Sequence, residues 1–175
     1  MVAFYALLAA VLFGSGDFLG GRATQRTSIL SVLATSHLIG LGLILVLAPV
    51  MAERFDGGDF ALGVGASGFG LVGLALLYRG LARGPMAVVA PVTAVTCAAL
   101  PVLWGVAFGE ELSGRQVIGI ILGLVSIALV SRTPAEASVS ASPGLIAESL
   151  LAGVGFAAFY IVIDGTDAAS APWPI

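Results

Sequence analysis

The sequence predicts an all-α fold, a polytopic bundle of membrane-spanning helices, and three observations carry that prediction. Of 175 residues, 59% are apolar and a further 24 are glycine, while 10% are charged, against about a quarter in water-soluble chains. Mean hydropathy is +1.11. The charges fall in short clusters that leave six runs nearly free of them, each close to the 20 or so residues that cross roughly 30 Å of hydrocarbon. A soluble domain of this size needs a polar surface that these side chains do not supply. The formal net charge of −3 holds no Lys/Arg-rich stretch, so no nucleic-acid partner is expected. One cysteine, Cys97, excludes an internal disulfide. With a single histidine, His37, there is no ligand set for a metal, and no cofactor or metal is expected.

Taken in order, the first span runs from Val2 to about Gly21 and includes one acid, Asp17. It lacks the basic start of a signal peptide, and Gly14, Ser15, Gly16, Asp17 is a poor cleavage site, so it reads as a span. The second covers Ile29 to Ala52 and contains His37; the third, after Glu53, Arg54 and Asp56, covers Phe60 to Tyr78 and ends at Arg79 and Arg83. The fourth, Pro85 to Phe108, carries no charge and contains Pro91 and Pro101, which remove backbone donors and are expected to bend it. Glu110, Glu111, Ser113, Gly114 and Arg115 form a polar turn into the fifth span, Gln116 to about Ser131, so spans four and five make an antiparallel hairpin. A loop rich in Ser, Ala, Pro and Glu follows, and the sixth span covers Gly144 to Ile163. Gly16/Gly20, Gly105/Gly109 and Gly119/Gly123 are small-xxx-small pairs, which are expected to bring helix backbones together in lipid.

Leu7, Leu8, Ala9, Val11 and Phe13 recur as Leu150, Leu151, Ala152, Val154 and Phe156. Apolar helices share a small alphabet, so chance is one reading. The other is a duplicated five-helix unit, whose odd number of spans inverts the second copy, as in many secondary transporters.

The stretch from Ala107 to Gly119 resembles the end of an EamA repeat of the drug/metabolite transporter superfamily. There the order is Pro, an apolar helix, Gly-Glu, Leu-Ser/Thr, then Gln-x-x-Gly and another apolar helix; Pro101, Glu110, Leu112, Ser113, Gln116 and Gly119 fill those places. Leu77 to Leu81 and Phe13, Gly14, Ser15 also look like the family, whereas Asp17 places a charge where its first helix is usually apolar or aromatic. The resemblance covers 1–132 as a first repeat, with 133–143 as a loop and 144–175 as the first helix of a second repeat, cut short. It implies ten helices in two inverted repeats, with a substrate path between them. The implied function is transport of small metabolites or drugs by alternating access, with export as the expected direction, in a multi-pass protein of the cell (plasma or inner) membrane. The partners implied are a small-molecule substrate and the lipid bilayer. A complete second copy would extend about a hundred residues past Ile175, so the chain is expected to be a fragment or a truncated product. If six helices are the whole product, closing a path needs a homodimer, as small exporters of that superfamily form, or the chain is a non-transporting subunit or relic.

Three residues are candidates for the substrate or proton pathway. Asp17 lies roughly 22 Å into the core counted from Met1, and its helical neighbours Phe13, Gly14, Gly20 and Gly21 are mostly small. It either faces a wet cavity or marks the interface. His37 sits near mid-depth, as a proton relay or as a histidine bonded to its own helix. Trp104 either lines a cavity or packs in lipid. Gly14, Ser15, Pro101, Glu110, Gln116 and Gly119 are read as motif and structural positions, with Glu110 expected to cap the turn and helix five. No catalytic residue is expected. Against that stands a weaker likeness to rhomboid-type intramembrane serine proteases: Gly65, Ala66, Ser67, Gly68 copies their Gly-x-Ser-Gly and His37 to Gly40 their His-x-x-Gly, with the order reversed. Arginines number five in the odd loops (Arg22, Arg26, Arg79, Arg83, Arg132) and two in the even ones (Arg54, Arg115). That places the N-terminus outside, against the family's cytoplasmic one, and orientation stays open.

Overall fold

A computed structural model describes residues 2–130 and 142–175. Its order is α1 (Val2–Thr24), α2 (Ile29–Met51), α3 (Gly57–Arg83), α4 (Met86–Ala107), α5 (Gly114–Val130) and α6 (Pro143–Ile163), closed by a short 3-10 turn at Ala168–Ser170. All six expected spans are helices, with boundaries shifted by a few residues. Among the described residues, five are long and apolar enough to cross a membrane; α5 is shorter over its described length. The chain is therefore a polytopic helical bundle. Ser131, Arg132 and most of the expected 133–143 loop lie outside the described residues. That loop ends early, because Ser142 caps α6 by accepting from the Leu145 amide and Pro143 occupies its first turn.

Polar side chains start the helices in the same way elsewhere. Ser28 accepts from the Ser31 amide, and Asp56 accepts from Gly58 and Asp59. At α5 the cap is reciprocal: Ser113 N–H and hydroxyl donate to Gln116 Oε1 at 2.8 and 2.6 Å, and the Gln116 amide turns back to Ser113 at 3.4 Å. This capping box explains the Ser-x-x-Gln part of the motif. It also corrects the expectation for Glu110, which does not cap α5. Helix α4 continues through both Pro91 and Pro101.

Helices α1, α3 and α5 run one way; α2, α4 and α6 run the other. Thr24 donates to the Tyr78 carbonyl and Gln25 to that of Leu81, which puts the C-terminal ends of α1 and α3 together. Gly80 and Gly84 meet Leu145 while Gly63 meets Pro174, so α6 runs antiparallel to α3, and hence to α1. One end of the bundle carries Arg22, Arg26, Arg79 and Arg83 with Glu148. The other carries Glu53, Asp56, Asp59, Glu110, Glu111, Asp164 and Asp167 with Arg54 and Arg115.

Helix α6 lies between α3 and α4 and makes the most extensive contacts in the bundle. A Cβ on Gly73 would stand 3.0 Å from the Ala152 carbonyl and the Phe156 amide, and one on Gly155 would stand 2.9 Å from Gly73. Gly153 packs on Thr93 and Thr96, and Thr93 donates to the Ser149 carbonyl at 3.1 Å. In lipid, where apolar burial gives helices no drive to associate, such backbone approach supplies the packing energy. The core is Leu33, Leu77, Tyr78, Leu81, Val89 and Ala152. The expected glycine pairs are mostly not where the packing occurs. Gly20 sits against Tyr78, but Gly16, Gly109, Gly119 and Gly123 meet nothing within 4 Å, and Gly105 meets Glu110 of its own turn. Near the acidic end Trp173 packs edge-on against Phe55, and Ser170, fully buried, donates to Asp59 at 2.6 Å.

Candidate functional site

Asp17 is the charged residue in the interior of α1, half-buried and one turn before Gly20, whose missing side chain admits the Tyr78 ring. Three residues apart on α1, Asp17 and Gly20 share the helix face turned to Tyr78 of α3. An acid within a membrane span is least costly on such an inner face.

A cavity of about 410 Å³ lies at the acidic end, between the last turns of α4 and α6 and the connection that follows α4. Pro101, Trp104 and Gly105 form one wall, Tyr160, Ile161 and Ile163 another, and Glu110, Leu112 and Asp164 close the mouth. The sequence folds this way because Gly109 takes φ +97°, a left-handed conformation that costs glycine little. The chain then reverses, the Glu110 amide donates to the Gly105 carbonyl at 2.9 Å, and the Glu110 carboxylate lies over Gly105, where a Cβ would overlap it. Phe108 stacks on Trp104, with centroids 4.4 Å apart. The Gly-Glu motif thus turns a carboxylate back into the cavity.

The candidates named from sequence separate into two sets. Pro101, Trp104 and Glu110 line the cavity, and Asp17 stands on the α1 face turned to α3. His37 does not: its Nδ1 lies 2.8 Å from the Leu33 carbonyl, one turn back, and its ring is exposed on the outer side of α2. Gly14 and Gly119 face open space, Ser15 donates to Val11 and Leu12 of its own helix, and Gln116 completes the α5 cap. For the rhomboid-type likeness, Ser67 donates to the Gly63 carbonyl at 2.8 Å, so serine and histidine each bond to their own helix rather than to one another. Sequence reasoning missed Cys97, Tyr160 and Asp164. A signal was available: Cys97, Pro101 and Trp104 stand at i, i+4, i+7, and Tyr160 and Asp164 at i, i+4, each set on one helical face.

At the opposite end, Arg79 Nε lies 2.8 Å from Glu148 Oε1, an ionic contact that ties α3 to α6. That oxygen is buried and makes no hydrogen bond among the described residues. A second recess of about 230 Å³ lies between the end of α1 and the α3–α4 turn, lined by Phe18, Arg22, Gln25 and Met86.

No curated protein and no solved structure matches the chain. The family model of the EamA-like transporter family matches residues 1–132, so this multi-pass membrane chain belongs to the EamA-like transporters.

Proposed function

We propose that the chain forms part of an exporter of small metabolites in the cell membrane, working by alternating access, with its substrate path running between α1, α4 and α6. One observation carries this reading: the cavity where Glu110 and Asp164 stand with Trp104 and Tyr160, with Cys97 on the same face of α4 as Pro101 and Trp104. Carboxylates, a thiol and a phenol on the inner faces of apolar helices are costly in lipid and mark substrate or proton routes. Asp17 is the candidate proton carrier and Trp104 a substrate contact, while Pro101, Glu110 and Gln116 shape the turn. The antiparallel course of α1 and α6 supports α6 as the first helix of an inverted repeat, after a first repeat at 1–132 and the 133–143 loop. The remaining helices of a ten-helix path then come from further chain or from a second copy in a homodimer.

Cys97 is the chain's single cysteine, and it reports on this path directly. In native-membrane vesicles, a water-soluble maleimide should label Cys97, and a solute that inside-out vesicles accumulate through this protein should slow the labelling. If no solute in a broad metabolite panel is accumulated above vesicles lacking the protein, the transport reading fails. If solutes are accumulated and Cys97 labelling is indifferent to them, the path lies elsewhere.

A further inference from the structure

We infer that the cavity between α4 and α6 selects organic cations carrying an aromatic or similarly flat apolar group. This rests on the transport reading and names the substrate class for that site. The charged residues lining the cavity are Glu110 and Asp164, one brought in by the Gly109 turn and one at the end of α6. Its aromatic residues are Trp104, half-exposed toward the space, and Tyr160. A ring face beside a carboxylate suits a cation, since the ring quadrupole and the fixed negative charge attract it together. The nearby Arg54 is engaged with Asp167 at 2.7 Å and is not among the lining residues. An anion would meet two carboxylates with no lining cation to offset them.

The surroundings have the same net sign. The end of the bundle where the mouth lies carries Glu53, Asp56, Asp59, Glu111 and Asp167 against Arg54 and Arg115, a negative balance that raises the local concentration of cations. Pro101, Leu112 and Ile161 give the apolar surface that a flat group covers. A volume of about 410 Å³ lies in the range of small-molecule sites, where a few charged groups set orientation and apolar walls give affinity.

The test uses three probes that share one ring and differ in charge: 2-phenylethylammonium, zwitterionic phenylalanine and 3-phenylpropionate. The 175-residue chain has two tryptophans, so Trp173→Phe leaves Trp104 as the sole indole reporter in that purified chain. The cation should shift Trp104 emission saturably, at a concentration at least about tenfold below that needed for the anion, with phenylalanine between them. Glu110→Gln with Asp164→Asn should remove most of that preference. Equal or tighter binding of the anion, an unchanged preference in the double variant, or no saturable response to any probe overturns the inference. The comparison of probes on the unaltered carboxylates stands even if the double variant does not fold. Vesicle uptake separates the two readings. Preferred binding of the cation without its movement keeps the site and removes transport, whereas accumulation of an anion that also protects Cys97 keeps transport and removes the substrate class.

Discussion

Helices α3 and α6 share glycine and aliphatic side chains with α2 and α5, adding a few aromatic and charged ones, yet the two pairs are held differently. Between α3 and α6 the backbones approach through Gly73 and Gly155, and both helices bury several small residues. Helix α5 buries none of its residues, and α2 buries only Leu33 and Ala48. In water such a contrast would follow from which helix had an apolar stripe. In lipid every face is apolar, and what differs is whether a glycine lies opposite another backbone or opposite open space. The family match includes the loosely held α5, while α6, which lies beyond it, sits at the centre of the packing.

The strongest way to break this contrast is to add the same side chain at both kinds of glycine. Gly155→Leu pushes against the backbone of Gly73 and the Phe69 carbonyl. It should cost about 3 kcal/mol, as overpacking does where backbone cannot yield. Gly123→Leu enters open space and should stay within about 0.5 kcal/mol. Thermal unfolding in detergent reads both, and equal losses would mean that α5 is as tightly held as α6.

Ion pairs give the next contrast. Arg79→Ala leaves Glu148, whose side chain is 15% exposed, facing α3 without its cation. Arg79 is itself half-exposed, so the cost should be about 2 kcal/mol, below that of a wholly buried pair. Arg54 and Asp167 are 54% and 51% exposed, and Arg54→Ala should cost about 0.5 kcal/mol or less. A larger loss from Arg54→Ala would show that the segment after α6 is held by charge rather than by Trp173 and Ser170.

Function sharpens the comparison between interior and periphery. If Asp17 carries the coupling proton, Asp17→Asn should lower pH-driven transport at least about tenfold, equivalent to about 1.4 kcal/mol, and flatten its pH profile. His37→Gln, on the outer side of α2, should leave transport within about twofold. Transport by the Asp17→Asn variant with an unchanged pH profile would remove Asp17 from the coupling. Loss in the His37 variant would bring α2 into the path.

Span positions were legible in the sequence because hydropathy and the charge clusters report directly on the bilayer's thickness, and α2 matches its expected limits within a residue. Inner faces were much less legible. Taken singly along the chain, Gly119 and Gly123 of α5 look no different from Gly73 of α3 and Gly155 of α6, and of these four only the last two meet another backbone, because contact depends on how α6 crosses α3. Asp17 could be singled out by its charge and Trp104 by its size, whereas Tyr160 becomes notable only once α6 lies beside α4. Glu110 illustrates the remaining difficulty. A Gly-Glu turn ahead of a helix suggests a cap, and Ser113 with Gln116 makes the cap instead, so Glu110 is left to face the cavity.

The smallest expected effect concerns the start of α3, where a local cap can be weighed against tertiary packing. The amides of Asp59 and Gly58 donate to the Asp56 carboxylate, and Arg54 lies nearby; together they hold its pKa below the usual 3.8. A carboxylate lowered in this way stabilises the folded state fully above its unfolded value, and the contribution fades as pH falls through the lower folded value. Asp56→Ala should therefore lower the unfolding midpoint slightly at neutral pH. The gap from the parent protein should close as the pH drops below the ordinary carboxylate range. Asp56→Asn, which keeps an acceptor at the cap, should lie between them and change less with pH. The gap is small because α3 is held along its length by α6, so losing one cap frays a turn without releasing the helix. A gap that widened on acidification would contradict the cap, and one as large as that of Gly155→Leu would mean that α3 depends on its first turn more than on its packing.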